Sequence, residues 1–262
     1  MSAATPSRWA PGPGTVAPRR RSILAQTAME LRLTSRRGEN LLVMLVIPVV
    51  LLVFFSSVTV LPPGTGRQID FLVPGILALA IISTSLVNLG IATAYERSYG
   101  VLKRLGGSPL SRSGLVAAKI LAVLAVEVVQ LALLVVIASV AFGWAPGSSS
   151  SALVVVAAVL LGTLAFAGLG LLMAGSLRAE ATLAGANGLY LVLLLLGGVV
   201  VPIDQLPSLL AAVARLLPAA ALSDALRIGV GAQAGDPLGS LVVLAAWGLA
   251  AAGLATRVFR WE

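Results

Sequence analysis

The sequence predicts an all-α membrane protein with six transmembrane helices. Of the 262 residues, 58% are hydrophobic and only 11% are charged, whereas a soluble domain typically carries about 25% charged residues. The mean hydropathy is +1.02. Six apolar stretches are each long enough to cross a hydrocarbon core of roughly 30 Å as a helix. They are residues 41–61, 71–95, 120–142, 152–177, 181–201 and 238–256.

The composition removes several classes of chemistry. The chain has no cysteine and no histidine, so disulfides, thiolate nucleophiles and Ser-His-Asp or Cys-His sites are excluded. Histidine is also the commonest general base and metal ligand. There are no clustered carboxylates either, so a membrane enzyme would have few residues with which to catalyse a reaction. We expect that the chain is not itself an enzyme and binds no metal or cofactor of its own.

The N-terminal part divides into a tail and a helix. Residues 1–21 are rich in proline, glycine and arginine and are predicted to be a disordered basic cytoplasmic tail. Ser22–Arg37 has apolar residues at helical spacing with cations between and beside them, which predicts an amphipathic helix at the membrane surface. An ordinary solvated linker helix is the alternative. Residues 22–262 are expected to form one transmembrane domain.

The distribution of cations predicts the orientation. With the N-terminus inside, all but three of the 18 Lys and Arg residues fall on the inner side; the exceptions are Arg67, Arg215 and Arg227. This satisfies the positive-inside rule with an even number of spans. Both termini are therefore expected in the cytoplasm of a multi-pass protein of the bacterial plasma membrane. The net charge of +8 is explained in this way without a nucleic-acid partner, and membrane lipids are the expected contact.

A short basic segment between the second and third spans is the first that suggests a mechanism. Tyr99, Leu102 and Leu105 recur at helical spacing and form one apolar face. Gly106 and Gly107 can end this helix, and Ser108-Pro109 suits the start of the next one. Two readings are open: a lever that a soluble partner grips, or a solvated loop that only sets topology.

The segment between the fifth and sixth spans is apolar but is interrupted by Pro202, Pro207 and Pro218. The pieces between these prolines have only about ten residues, too few to cross the membrane. They are predicted to be extracellular re-entrant or interfacial helices, acting either as an outer gate or as an outer cap that fills a packing gap. The candidate gate residues are Pro202, Leu206, Pro207, Pro218, Asp224 and Arg227.

Glu127 is the one ionisable residue predicted to lie well inside a span. A carboxylate there is costly unless it faces protein or water, and Gln130 lies one turn further along the helix. Asn88 in the second span is a candidate neighbour. These three residues either line a substrate path, with Glu127 recognising a cation, or form structural hydrogen bonds between helices.

Glycines are frequent in the fourth and fifth predicted spans, including Gly170 and Gly188. Small residues allow helices to approach closely in lipid. Close helix packing is their expected role, and a dimer seam is the alternative.

Three stretches resemble the permease subunits of ABC-2 type exporters, including the daunorubicin-resistance-like branch. The stretch 71–78 (FLVPGILA) resembles the start of the family's second span. Glu96-Arg97 with Gly100, Leu102-Lys103, Leu105 and Ser108-Pro109-Leu110 resembles its coupling-helix region. The stretch 202–227 resembles its outer re-entrant pair. The similarity covers roughly residues 23–256.

The resemblance implies a six-helix subunit that pairs with a second permease, identical or paralogous, and with two cytoplasmic ABC ATPase subunits. ATP and Mg would be bound by those partners, since the chain has no G-x-x-x-x-G-K-[ST] phosphate loop. The helix 22–37 would be the elbow-like connecting helix. The implied ATPase-coupling residues are Glu96, Arg97, Gly100, Val101, Leu102, Lys103, Arg104, Leu105 and Pro109.

The expected function is that of the permease subunit of an ATP-driven exporter. The apolar spans favour a hydrophobic or amphipathic substrate, such as a drug or a lipid. A scaffold or assembly subunit that does not itself transport is the main alternative. An ion-coupled transporter is a weaker one, because it would call for several intramembrane carboxylates or paired broken helices.

Overall fold

The computed structural model describes residues 18–36, 38–58, 67–107, 110–199 and 202–258. Within these ranges all regular structure is helical. Two helices open the chain: α1 (Arg19–Arg36) and α2 (Gly38–Ser57). Helix α1 begins three residues earlier than predicted, because the backbone N–H groups of Arg21 and Ser22 already donate to the Pro18 carbonyl. The rest of the predicted tail lies outside the described residues.

The second predicted span is the most deeply buried helix. It consists of α3 (Gln68–Ile82), a π-helical turn (Ser83–Asn88) and α4 (Leu89–Ser98), and it continues without a break. Its central part is surrounded by α2 and by four later helices: α6 (Arg112–Phe142), α7 (Ala152–Ser176), α8 (Ala179–Leu196) and α10 (Pro218–Gly229). A π-helical turn widens the helix locally and exposes carbonyl groups to a neighbour. Here that neighbour is α7.

Helix α5 (Val101–Gly106) follows α4 and is only six residues long. Helix α6 then runs from Arg112 to Phe142, which is about 46 Å at 1.5 Å per residue. It begins eight residues before the predicted span, because the Ser111 hydroxyl accepts a 3.1 Å hydrogen bond from the Gly114 N–H and caps the helix there. The sequence predicted that this helix starts at Ser108-Pro109, which lie outside the described residues.

A helical hairpin, a bent pair of helices and one further long helix complete the described part of the fold. Helices α7 (Ala152–Ser176) and α8 (Ala179–Leu196) are joined by two residues. A 3₁₀ turn (Ile203–Gln205) leads to α9 (Ser208–Ala214) and α10 (Pro218–Gly229), which meet at an angle of 78°. The last helix, α11 (Leu238–Val258), packs along α7.

Five described helices are long and apolar enough to cross a membrane: 68–98, 112–142, 152–176, 179–196 and 238–258. These coincide with the second to sixth predicted spans. The first predicted span overlaps α2, whose apolar part, Met44–Ser57, is shorter. The bent pair α9–α10 could count as a sixth span by length and composition. The described residues therefore give five to six candidate spans, of which α2 is not one, and both the predicted first span and the re-entrant role of α9–α10 stay predictions.

Close approach between α7 and the π-helical turn depends on Gly170. A Cβ atom at this position would lie 2.7 Å from the carbonyl oxygen of Leu86 and 3.0 Å from that of Ser85. Gly90, one turn after Leu86 on the same continuous helix, also approaches Gly170 closely: a Cβ at Gly90 would lie 3.1 Å from the Gly170 Cα. The packing role predicted for the glycines thus has a specific location.

We expect the substitutions Gly170→Ala and Gly188→Ala to have opposite effects. The first forces backbone apart and should lower the free energy of unfolding by about 1–3 kcal/mol. The second places a methyl group where no atom of a neighbouring element lies within 4 Å. It should raise the free energy of unfolding by roughly 0.5 kcal/mol, because alanine loses less backbone entropy than glycine on folding. Thermal unfolding of both variants in detergent is the measurement. Equal midpoints would contradict the packing assigned to Gly170.

Candidate functional site: the turn at Gly100 and the polar network beneath it

The turn between α4 and α5 is set by Gly100. Its backbone has φ +71° and ψ +11°, the left-handed region that glycine adopts without strain. A Cβ there would contact nothing within 4 Å, so backbone conformation rather than space requires glycine. The turn changes the direction of the chain after α4 and brings Leu102 into contact with the neighbouring helices.

Leu102 anchors α5 to the rest of the molecule. Its side chain is fully buried, while Leu105 is half-buried beside it. The surrounding apolar cluster draws residues from α4, α6, α7 and α11: Leu89, Leu115, Val116, Val123, Ala167, Leu171 and Ala255. Two residues of the predicted apolar face, Leu102 and Leu105, therefore point into the protein, whereas the third, Tyr99, is exposed.

Glu96 and Arg97, which the motif assigns to ATPase coupling, are directed inward. Glu96 Oε2 accepts a 2.7 Å hydrogen bond from Lys119 Nζ. Arg97 Nη1 donates to the Gly175 carbonyl at 2.6 Å, and Nη2 donates to the Leu177 carbonyl. Cations at a helix C-terminus satisfy its last carbonyl groups and its dipole. Arg97 thus holds the end of α7, and Glu96 holds the start of α6.

The outward surface of this turn consists of other side chains. Tyr99 is 74% exposed and Val101 is 39% exposed, and Lys103 and Arg104 are also exposed. We call these four residues the exposed α5 face. Two aliphatic or aromatic side chains with two cations form a surface that a soluble protein can bind. Pro109 lies outside the described residues.

Lys119 lies at the centre of the polar network. Its side chain is 1% exposed, and its Nζ lies 2.9 Å from Glu30 Oε1 and 2.7 Å from Glu96 Oε2. Gln26 donates a further 2.9 Å hydrogen bond to Glu30. Since a buried ammonium group is costly unless it is paired, the pairing fixes α1 and α4 against α6. We call Lys119, Glu30 and Glu96 the Lys119 triad.

A small polar cavity of about 60 Å³ adjoins the triad and is also lined by Thr84 and Asn88. Thr84 Oγ1 donates to Gln130 Oε1 at 2.8 Å, and Gln130 Nε2 donates to the Met44 carbonyl at 2.8 Å. Asn88 contacts the Met44 sulfur. Two of the three residues predicted for a substrate path, Asn88 and Gln130, therefore lie on one polar strip beside α2.

Glu127 does not join that strip. Its side chain is fully buried on the α7 side of α6, where Thr163 Oγ1 donates to its Oε2. Its other oxygen, Oε1, has no hydrogen-bond partner among the described residues. An unpaired buried carboxylate oxygen is costly, so the position is strained or is completed by a further group. No pattern in the sequence indicates Thr163 as the partner.

Two of the predicted gate residues, Asp224 and Pro202, lie near a third, Arg227. Its guanidinium lies 3.9 Å from the centre of the Phe71 ring, and Nη2 donates to the carbonyl groups of Gly198 and Val199. Asp224 Oδ1 is 3.8 Å from Nη1. A polar cavity of about 250 Å³ lies beside them and includes Pro202. Pro218 is buried at the first position of α10, whereas Leu206 is half-buried and Pro207 is exposed.

Sequence reasoning missed the Lys119 triad. Helical spacing alone places Glu30 on the polar face of the surface helix, and the charge distribution places Lys119 among the cations of the inner side. The one available signal was a lysine placed directly before the apolar run that starts at Ile120. No group of three or more metal-ligating side chains occurs in the described part of the chain.

Comparison with known proteins identifies the family. The model of the ABC-2 type transporter family matches residues 21–230. The chain belongs to the ABC-2 type transporter family. It is also 27% identical over 203 residues to the "Putative transport permease YvfS" of Bacillus subtilis (strain 168), which covers 74% of this chain and 79% of the relative.

Membership establishes the general role. An ABC-2 permease is a multi-pass transmembrane subunit of a transporter; it is not itself catalytic, and such permeases generally work with ABC ATPase partners. In this ABC-2 permease the matched region includes the Gly100 turn, all three members of the Lys119 triad and Arg227.

The substitution Lys119→Met should destabilise this permease strongly. It leaves two carboxylates close together without their cation, and breaking a buried ion pair typically costs about 3–5 kcal/mol. The triple variant Lys119→Met, Glu30→Gln, Glu96→Gln should recover much of the loss, because no uncompensated charge remains. Urea or thermal unfolding in detergent measures both, with the exposed Arg112→Met as the control on the same helix. A Lys119→Met protein as stable as the control would show that the triad does not hold the helices together.

Proposed function

We propose that this permease is the membrane subunit of an ATP-driven exporter and that the exposed α5 face is its contact with a separate ABC ATPase. The observation that carries the proposal is the two-sided construction of the turn. Tyr99 and Val101 are exposed, while Leu102 between α4 and α6 is fully buried. A partner that pushes on the exposed side would therefore push on a helix that is anchored in the protein.

The buried side supplies the transmission in this proposal. Glu96 joins α4 to α6 and α1 through Lys119, and Arg97 joins α4 to the end of α7. A displacement of α5 would then move α1, α6 and α7 together. Of the nine residues that the motif assigns to coupling, Val101, Lys103 and Arg104 would touch the ATPase, while Glu96, Arg97 and Leu102 would act through their internal contacts and Gly100 through its backbone.

The complete transporter would contain two permeases, identical or paralogous, and two ATPases that bind ATP and Mg. The charge distribution supports an orientation with both termini in the cytoplasm of a bacterial cell. The exposed α5 face and the basic helix α1 would then lie at the inner surface. The apolar composition supports a drug-like or lipid-like substrate, as in the daunorubicin-resistance-like branch.

The substrate would leave near the outer bent pair α9–α10. The 78° bend between these helices supports a re-entrant arrangement. Arg227 holds α10 against the end of α8 and against Phe71 of α3. A gate built in this way would open when α8 and α10 separate and the contacts of Arg227 with Gly198 and Val199 break.

The substitutions Tyr99→Asp and Val101→Asp should release the ATPase without unfolding the permease, because both side chains are exposed. The measurement is purification of tagged permease from the native host in mild detergent, with co-purifying proteins identified by mass spectrometry. We expect a near-stoichiometric ATPase with the unmodified chain and at least a tenfold loss with the double variant, which corresponds to about 1.4 kcal/mol.

Leu209→Asp is the matched control, since Leu209 is 76% exposed on α9 at the other end of the molecule. It should retain the ATPase. Retention by the Tyr99/Val101 variant as well would place the ATPase contact elsewhere. A permease that purifies alone under all conditions would favour a scaffold subunit over an exporter.

Glu127 is proposed to recognise a cationic substrate group, while Asn88 and Gln130, on the polar strip beside α2, would line a separate part of the path. The unpaired oxygen Oε1 supports the proposal. Glu127→Gln keeps the shape and the contact with Thr163, and should reduce efflux of cationic substrates by about tenfold while neutral substrates are unaffected. Efflux from cells or vesicles measures this. Thr163→Val is the comparison: if it alone reproduces the loss, Glu127 has a structural role.

A further inference from the structure

A larger cavity lies between the last two turns of α1, the first half of α2 and the middle of α6. Its volume is about 440 Å³, within the range of roughly 300–1,000 Å³ usual for sites that bind small molecules. Its walls are almost wholly aliphatic and are formed by Leu31, Met44, Leu45, Ala125, Val126 and Val129. Val129 is 66% exposed, so the cavity opens sideways on the surface of α6.

The mouth of this cavity is cationic. Arg32, Thr34 and Ser35, all from α1, line it, and the Arg32 side chain is exposed. The one carboxylate of α1, Glu30, is bound to Lys119 and Gln26. Among the side chains that the structure describes, no carboxylate pairs with Arg32. The mouth therefore offers a guanidinium that can bind an anionic group.

The one polar side chain at the inner end of the described cavity lining already has its hydrogen-bond partners. This side chain is Gln130, and both ends of its amide are occupied, by Thr84 and by the Met44 carbonyl. An occupant that fits this arrangement has a long apolar part and a single anionic group at one end. Hydrogen-bonding groups along its length would lose their water without gaining partners.

We propose that the cavity binds an anionic membrane lipid, with one acyl chain between α2 and α6 and the phosphate at Arg32. The chemistry is that of an amphipathic helix at a membrane surface, whose cations attract anionic lipid while its apolar side chains contact acyl chains. Leu24 and Met29 of α1 are also largely exposed, as expected for a helix in contact with lipid. The proposal does not depend on which ATPase or substrate the permease uses.

The bound lipid would support the Lys119 triad from the side. Thr34, Met44 and Val126 line both this cavity and the small polar one that contains Glu30, Glu96 and Lys119. The acyl chain would fill the space between α1 and α6 on one side of these three residues, and the triad joins the same two helices on the other side. Anionic lipid in the membrane would thus favour the arrangement in which α1 lies against α6.

Photocrosslinking in nanodiscs tests the site. The full chain is reconstituted in phosphatidylcholine with a trace of phosphatidylglycerol, or of phosphatidylcholine, that carries a diazirine on an acyl chain. Labelled peptides are then mapped by mass spectrometry. We expect the phosphatidylglycerol probe to label residues 125–130 roughly fivefold more than the phosphatidylcholine probe, as one arginine near anionic lipid predicts.

Two pairs of variants separate the contributions of head group and chain. Arg32→Gln should reduce the ratio of the two probes to near one, whereas Arg21→Gln, at the other end of α1, should leave it unchanged. Ala125→Trp should reduce labelling by both probes because it fills the cavity. Val140→Trp on the same helix should not, since Val140 is 83% exposed outside the cavity. If Ala125→Trp does not fold, Leu45→Phe tests the same space from α2.

Two results would overturn the proposal. One is equal labelling by both probes that Arg32→Gln does not change, which would indicate ordinary lipid contact. The other is a disulfide between two copies of a Val129→Cys variant, which would show that a second permease covers the cavity. Because the chain has no cysteine of its own, such a crosslink would report that position alone.

Discussion

The arrangement on the α5 side of the molecule depends on one buried ammonium group. Lys119 is almost fully enclosed, and its two carboxylate partners come from α1 and α4. Because a lysine buried in a low-dielectric environment without a partner would cost several kcal/mol, α1, α4 and α6 are constrained to meet at this point. Arg97, the residue after Glu96, extends the constraint to α7. The Gly100 turn therefore projects from a region in which four helices are connected by charged side chains.

A comparable constraint operates at the other end of the continuous helix α3–α4. Phe71, near its start, lies under the Arg227 guanidinium, which also holds the carbonyl groups that follow α8. Between the two charged clusters, the π-helical turn packs against Gly170 of α7 without room for a methyl group. The most buried helix is thus fixed by charge at its ends and by close backbone packing at its centre, so it is suited to move as one rigid element.

The helices could be predicted from sequence because length and apolarity decide whether a segment crosses a membrane. The positions at which the helices begin and end were harder to predict. Helix α6 begins at Arg112 because Ser111 caps it, although the cations in its first turns are also typical of a solvated loop. The side-chain network could not be predicted. Glu30, Glu96 and Lys119 are far apart in sequence, and only the packing of α1 and α4 on α6 brings them together. The pattern predicted a short helix here, and α5 is that helix, but it could not show that Glu96 and Arg97 face the protein while Tyr99 is exposed.

This division between inward and outward residues bears on how force can pass through the turn. A loop held by few contacts would absorb a push locally. Here Leu102 is enclosed by side chains from α4, α6, α7 and α11, and closely packed interiors transmit displacement because they have little free volume. A push on α5 would therefore shift those helices together. The large apolar cavity lies between α2 and α6. Because α6 belongs to the group that shifts, the same movement would change the shape of that cavity.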